Sequence, residues 1–439
     1  MEYINIFIQM SLFIILFYFG IPINKISFDA IYKKLDIIDS YTFNIILYIN
    51  LFLFLSFFNL NIYNILIAYF IFLIIFFLFN INNFLAQLKK INNNYFLCIV
   101  LIITLMVISV DISNSISLGW DAQKFWIYKT INFFSNGTIE NLKYLDKGDG
   151  YDYPYLGSLL WAIFWKISFF NEEYFGRLFY GFIYIFSISS LANRLNSSIY
   201  SKIIIFLIIL LLSYDYLNFR GEQDILLFSF MAFAASLCLK IFKRKNDKEL
   251  IFNLFLLILL CNLLIWTKAE GTIYSFIIVL SLTFCLKIKK KIKIFLSVSL
   301  ITLIIIRILV YKIYNLNIGV NSCCWNDLSI VGIYSKITFD RIFTIFQYSI
   351  YSFLKNHLMI FSLILFIIKK DKFKNFNNNL YNYIIIFLSL VFFFSAFILT
   401  DIDLIFMLKT GLDRLFFSIT PFFIIIIIDY LNDNKILLK

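Results

Sequence analysis

Asp121 in GWDAQKFW, Asp224 in GEQD and Glu270 in TKAEG are carboxylates set beside long apolar runs, and Asp152 in DGYDYP is another. Lys124, Lys129, Arg220, Lys268 and Arg414 are cations at junctions of the same kind. Acids so placed can accept the proton of a hydroxyl or hold a polar ligand. His357 is the only histidine, which removes Ser-His-Asp chemistry and histidine metal clusters and leaves the carboxylates as the acids and bases. The six cysteines offer no zinc spacing. Cys98, Cys238, Cys261 and Cys285 sit in apolar runs, whereas Cys323 and Cys324 are adjacent in a loop, where a mutual disulfide would be strained and free thiols are expected.

Each of these groups also has a plainer reading. Asp121 opens a short helix, DAQKFWIYK, whose spacing puts Lys124, Phe125 and Tyr128 on its face and Trp126 to one side. An aspartate there can serve as an N-cap, with Trp120 and Trp126 as interfacial anchors. The cations can snorkel to the headgroups, and Asp224 and Glu270 can simply pair with them. Against the plainer reading, four separate hairpins bring ionisable residues to one membrane depth, which is costly unless they face a polar cavity. The last of them, LDRLFFSITPFF, begins the final span with Asp413 and Arg414 and is expected to break its ladder at Pro421.

The elements that must position these groups are membrane helices. The chain has 439 residues, is 62% hydrophobic and 21% aromatic, and contains only 3 prolines, which excludes a soluble globular domain and predicts an all-α polytopic membrane protein. Its net charge of +12 comes from lysines in short loops between apolar runs, a sign of membrane orientation rather than of a nucleic-acid partner. MEYINIF carries an acid and no basic region, so the first apolar run is expected to be a retained span. Lys25, Lys33, Lys34, Lys89 and Lys90, then KIFKRKNDK, KIKKKIK and KKDKFK, all become cytoplasmic only if one run after Asp121 fails to cross. The candidate is YLGSLLWAIFWKISFF, which is short, carries Lys166, follows Pro154 and is flanked by Glu172 and Glu173. It is predicted to lie in the outer interface or re-enter it. About thirteen spans follow, near 5–22, 43–60, 62–81, 95–112, 174–192, 202–217, 223–243, 250–266, 270–288, 292–312, 350–368, 380–400 and 413–431. The N-terminus is then external, the C-terminus cytoplasmic, and the acids gather on the outer face.

The order of these pieces resembles a known family. An acid in the first large external loop (Asp121 in GWDAQKFW), DYPYLG before an interfacial helix, GEQD at a later outer helix start, TKAEG, and an arginine (Arg414) near a Thr-Pro pair in the last span are similar to the GT-C glycosyltransferases. The likeness is greatest to bacterial members related to protein O-mannosyltransferases and lipid A aminoarabinose transferase. It covers residues 95–290 and 411–422. The Asp-Glu pair of the mannosyltransferases is Asp121-Ala122 here, and the Lys-Pro of the aminoarabinose enzyme corresponds most nearly to Tyr153-Pro154. The resemblance implies a GT-C bundle in a bacterial inner membrane, with interfacial helices in the first external loop (111–173). It divides the chain into three N-terminal spans (1–94), a catalytic core (95–312) and a loop plus C-terminal spans (313–439).

It also implies the reaction: a sugar moves from a polyprenyl-phosphate donor to a lipid, glycan or protein hydroxyl outside the cytoplasm, inverting, with Asp121 as the base. Lys124, Lys129, Arg220, Lys268 and Arg414 become candidates to hold the phosphate, and Asp152, Tyr153, Asp224 and Glu270 to contact the sugar or those cations. Asp149 with Asp152, and Asp401 with Asp403, offer oxygen ligands suited to Mg, Mn or Ca. Since side-chain cations can neutralise the phosphate, no metal or other cofactor is assigned. The competing expectations are a transporter or flippase of lipid-linked saccharides, which would favour internal repeats and Gly/Pro-broken helices, and a polysaccharide polymerase.

Overall fold

The computed structural model describes residues 2–18, 36–79, 95–114, 117–145, 153–168, 170–244, 246–286, 289–316, 330–368 and 376–433. Among these residues every regular element is a helix. The helices are α1 (Glu2–Tyr18), α2 (Ile37–Ser56), α3 (Ile62–Phe79), α4 (Tyr95–Asn114), α5 (Ile127–Phe134), α6 (Leu156–Ile167), α7 (Tyr174–Ala192) and α8 (Ile199–Ser213). They continue with α9 (Asp224–Phe242), α10 (Asp247–Thr267), α11 (Ala269–Cys285), α12 (Lys290–Ile313), α13 (Ile330–Lys336), α14 (Phe339–Lys355), α15 (His357–Ile368), α16 (Phe376–Leu399) and α17 (Leu404–Asp433). Helix starts use short polar side chains. Asp36 caps the Asp39 amide, Ser198 the Ser201 amide and Asn246 the Glu249 amide.

Eight of the described helices are long and apolar enough to cross a membrane, and five shorter apolar helices accompany them. The chain is therefore an α-helical integral membrane protein. α7 is buried along its whole length from Phe175 to Ala192 and packs against α9, which in turn packs against α10 and α17. In such a bundle, close approach rather than water exclusion brings helices together, and glycines allow it. A Cβ on Gly176 would come within 2.4 Å of the Trp161 carbonyl oxygen, and one on Gly181 within 3.0 Å of Ile112.

α9 carries ionic groups at both ends, and α17 supplies a partner near each of them. At the end away from Asp224, Asp39 pairs with Arg194 and, at 2.5 Å, with Lys240, while Asp429 pairs with Lys243. These links tie the last turns of α9 and α17 to α2 and to the exit of α7.

One expectation gains detail and two change. Within the run 155–170 the helix is α6, Leu156–Ile167, which at 12 residues is about 18 Å long and, as expected, too short to span. Leu156 to Phe164 are all buried against other helices, where α6 packs on α3, α5, α7 and α10. The run at 350–368 is two helices, divided at Asn356, whose extended backbone frees its side chain to cap the Met359 amide and to bond Thr420 Oγ1 at 2.8 Å. Much of the expected loop 313–349 is thus helical, since α14 begins at Phe339. Finally, α17 starts ten residues before Arg414, at Leu404, and runs unbroken through Pro421, so Arg414 lies inside a helix rather than at its end.

Candidate functional site

The site is assembled from four segments that meet at the end of the bundle where α9 begins. Residues 117–121 lie against the loop 220–224. The Gly119 amide donates to the Arg220 carbonyl oxygen at 2.7 Å, and the Arg220 guanidinium donates to the carbonyl oxygens of Ser117 (2.9 Å) and Leu118 (3.1 Å). A Cβ on Gly119 would sit 2.0 Å from Glu222 Oε1, so a larger residue there would displace the Glu222 carboxyl. Gly221 turns the second loop at φ +86°, a left-handed conformation suited to glycine, with the Trp161 ring and the Ala122 methyl packed against it.

Asp121 is not an N-cap. Its backbone is already helical and its side chain makes no capping bond. Directly after it, Ala122–Trp126 form a π-helical turn in which the Ile127 amide donates to the Ala122 carbonyl oxygen. Such turns are inserted irregularities that occur often at functional sites. The Trp126 carbonyl accepts from Ser158 Oγ at 3.0 Å and Thr130 Oγ1 at 2.9 Å, which fixes this turn on α6. Trp126 is fully buried and is no membrane anchor, whereas Trp120 is exposed.

At the centre stands Arg414. Its Nη2 bonds Asp121 Oδ2, and Nε and Nη2 both reach Asp224 Oδ2, at 2.7 and 2.6 Å. The other Asp224 oxygen accepts from Lys268 Nζ at 2.9 Å, so each oxygen of this buried carboxylate serves one cation. Lys268 Nζ also lies 3.8 Å from Glu270 Oε1. Glu222 completes the set: its Oε2 is 3.6 Å from Arg414 Nη2 and, though buried, accepts no hydrogen bond among the described residues. Exposure rises from 4% for the Asp224 side chain to 17% for Asp121 and 31% for Arg414, so the cluster is sealed at Asp224 and open at Arg414.

Burial raises the Glu222 carboxyl to about 7, the Asp121 and Asp224 charges push the same way, and Arg414 and Lys268 oppose them. Lys268 is held above its ordinary range: burial works against its charge, but the Asp224 carboxylate outweighs it with help from Glu270.

The structure brings together Asp121, Asp224, Lys268, Glu270 and Arg414. It does not bring in three other cations. Lys124 is exposed and joins no ion pair among the described residues, and Arg220 is engaged with backbone carbonyls. Lys129 is fully buried and donates to the Tyr153 carbonyl oxygen at 2.6 Å. Tyr153 itself packs under the helix, its ring 5.5 Å from Trp126 and 5.3 Å from Phe125. Asp149 and Asp152 lie outside the described residues, as do Cys323 and Cys324, while Asp401 pairs with Lys336 at 2.5 Å. No three His, Cys, Asp or Glu side chains among the described residues form a metal-holding set. Glu222 is the member that sequence reasoning missed. Its signal was its place in GEQD, two residues before Asp224, but nothing in the sequence distinguishes an acid facing Arg414 from one facing water.

Chemically, the cluster can hold a carboxylate ready for a hydroxyl proton beside two cations able to take an anion, at one end of a membrane bundle. Comparison with protein-family models, with curated proteins and with solved structures finds no match to this chain.

Proposed function

We propose that the chain is an integral-membrane glycosyltransferase of GT-C type that moves a sugar from a polyprenyl-phosphate donor to an extracytoplasmic hydroxyl. The eight long helices and the shorter apolar ones other than α6 would form its bundle of about a dozen spans. The observation that carries this reading is the meeting of Asp121 with Arg414, 293 residues apart, on the same guanidinium that holds Asp224 and beside Lys268. In the reaction, Asp121 accepts the acceptor's hydroxyl proton while the oxygen bonds to the anomeric carbon. The carbon–oxygen bond to phosphate breaks, and its electron pair leaves with the lipid phosphate. A lipid phosphate is a good leaving group, so the protein's main tasks are orientation and charge stabilisation. Arg414 and Lys268 are the cations for that charge. In the resting chain their partners are Asp121 and Asp224, so donor binding must exchange carboxylate for phosphate at Arg414, the open end of the cluster.

The test is transfer from polyprenyl-phosphate sugars by membranes holding matched amounts of wild type and Asp121→Asn. The variant should be slower by roughly 10²- to 10⁴-fold, the usual size of general-base removal. Turnover near wild type would dismiss Asp121 as the base.

One observation favours a second reading, translocation of a lipid-linked saccharide: ion pairs close both ends of the α9–α17 pair, as two gates would. Movement of a fluorescent polyprenyl-phosphate sugar across proteoliposomes without transfer would select it.

A further inference from the structure

We propose that Glu222 is a second proton-handling residue of this site, receiving through the surroundings of Arg414 the proton that Asp121 takes from the acceptor. The inference rests on the transfer reading for its role, but its physical basis is independent of it. Asp121 Oδ2 and Glu222 Oε2 lie around one nitrogen, Arg414 Nη2, the first bonded to it and the second 3.6 Å away. Asp121 therefore has a fixed partner, whereas the buried Glu222 oxygen has no hydrogen-bond donor among the described residues. A buried acceptor without a donor is costly, and a proton on that oxygen, shared with a hydroxyl or one water, removes the cost.

Position also isolates Glu222 for this task. Gly119 leaves the space its carboxyl occupies, and the loop is pinned on both sides by Arg220 and by Gln223, whose Nε2 donates to Tyr180 Oη at 3.0 Å. The charged groups acting on it are Asp121 from the first loop, Asp224 from α9, Lys268 from the α10–α11 junction and Arg414 from α17. Their balance and its burial place its titration at about 7, so near neutrality the group exchanges its proton readily. The step balances simply. The hydroxyl proton goes to the Asp121 carboxylate as the glycosidic bond forms and the phosphate leaves. The same proton then moves to ionised Glu222, restoring the Asp121 carboxylate, and Glu222 releases it to water.

The experiment is isotope-edited infrared titration of the full chain in lipid nanodiscs, with labelled glutamate, run beside the pH dependence of sugar transfer. A carboxyl band should titrate with a midpoint about 7, be lost in Glu222→Gln and reappear in Glu222→Asp once aspartate is labelled. In Asp121→Asn the band should remain but titrate at lower pH, because the Asp121 charge is one of the forces raising it. Transfer by Glu222→Gln should fall by about tenfold or more, toward the lower end of general acid–base effects, with the pH limb near neutrality abolished. Absence of the band, a midpoint indifferent to Asp121→Asn, or an unchanged pH–rate profile in Glu222→Gln would each overturn the proposal. A chain that shows the band and its coupling to Asp121 but transfers no sugar would instead overturn the transfer reading, leaving the proton coupling established.

Discussion

Arg414→Met removes the cation shared by three carboxylates, and its cost can be built from the geometry. Asp224 would keep Lys268 at 2.9 Å, but Asp121 would lose its bonded counter-charge and Glu222 its neighbouring one. Breaking a buried ion pair from one side costs about 3–5 kcal/mol, and the 31% exposure of the Arg414 side chain puts this case near about 3 kcal/mol. Asp121→Asn is milder, at about 1.5 kcal/mol, since Arg414 keeps its two bonds to Asp224. Independent effects would bring the double variant to about 4.5 kcal/mol. They are not independent, because much of the methionine penalty is the stranded Asp121 charge. The double variant should therefore fall back to about 3 kcal/mol, a coupling of about 1.5 kcal/mol. Unfolding free energies of the four proteins in mixed micelles, taken at one pH and one lipid composition, measure it. Costs that add within about 0.5 kcal/mol would refute an energetic bond between Asp121 and Arg414 and, with it, the view that α17 completes the site.

Glu222 predicts a pH dependence of stability. Its folded-state carboxyl, at about 7, lies above the ordinary 4.5, so its contribution favours folding fully below pH 4.5 and is lost as pH rises through about 7. Relative to wild type, Glu222→Gln should become more stable across that window by at most about 3 kcal/mol, read by the same unfolding assay at pH 5 and pH 8. A constant difference between the two proteins would contradict it. The orientation drawn from the lysines predicts that, in a background without native cysteines, Glu172→Cys is labelled only from outside the cell and Tyr200→Cys only from inside. The two positions flank α7, and both side chains are exposed. Labelling of both from one side would dismiss that topology.

By itself the sequence determined the solvent of this protein and the class of its elements. Apolar runs such as YFLCIVLIITLMVISV leave no alternative to helices in a bilayer, because their backbone groups can be satisfied only within the segment. It also marked Asp121, Asp224, Lys268 and Arg414, since charge at an apolar boundary stands out in composition alone. Tertiary structure decided which of these charges meet. Whether Arg220 turns to the Ser117 carbonyl or to a ligand, whether Lys129 is buried under Tyr153, and whether Glu222 faces Arg414 all depend on how α9, α17 and the first loop pack. The same packing made Trp126 a core residue and enclosed α6, which its length alone could only exclude from spanning. The physical reason lies in range. Helix formation is settled by groups a few residues apart, whereas an ion pair between Asp121 and Arg414 joins groups 293 residues apart and exists only once the helices between them have packed.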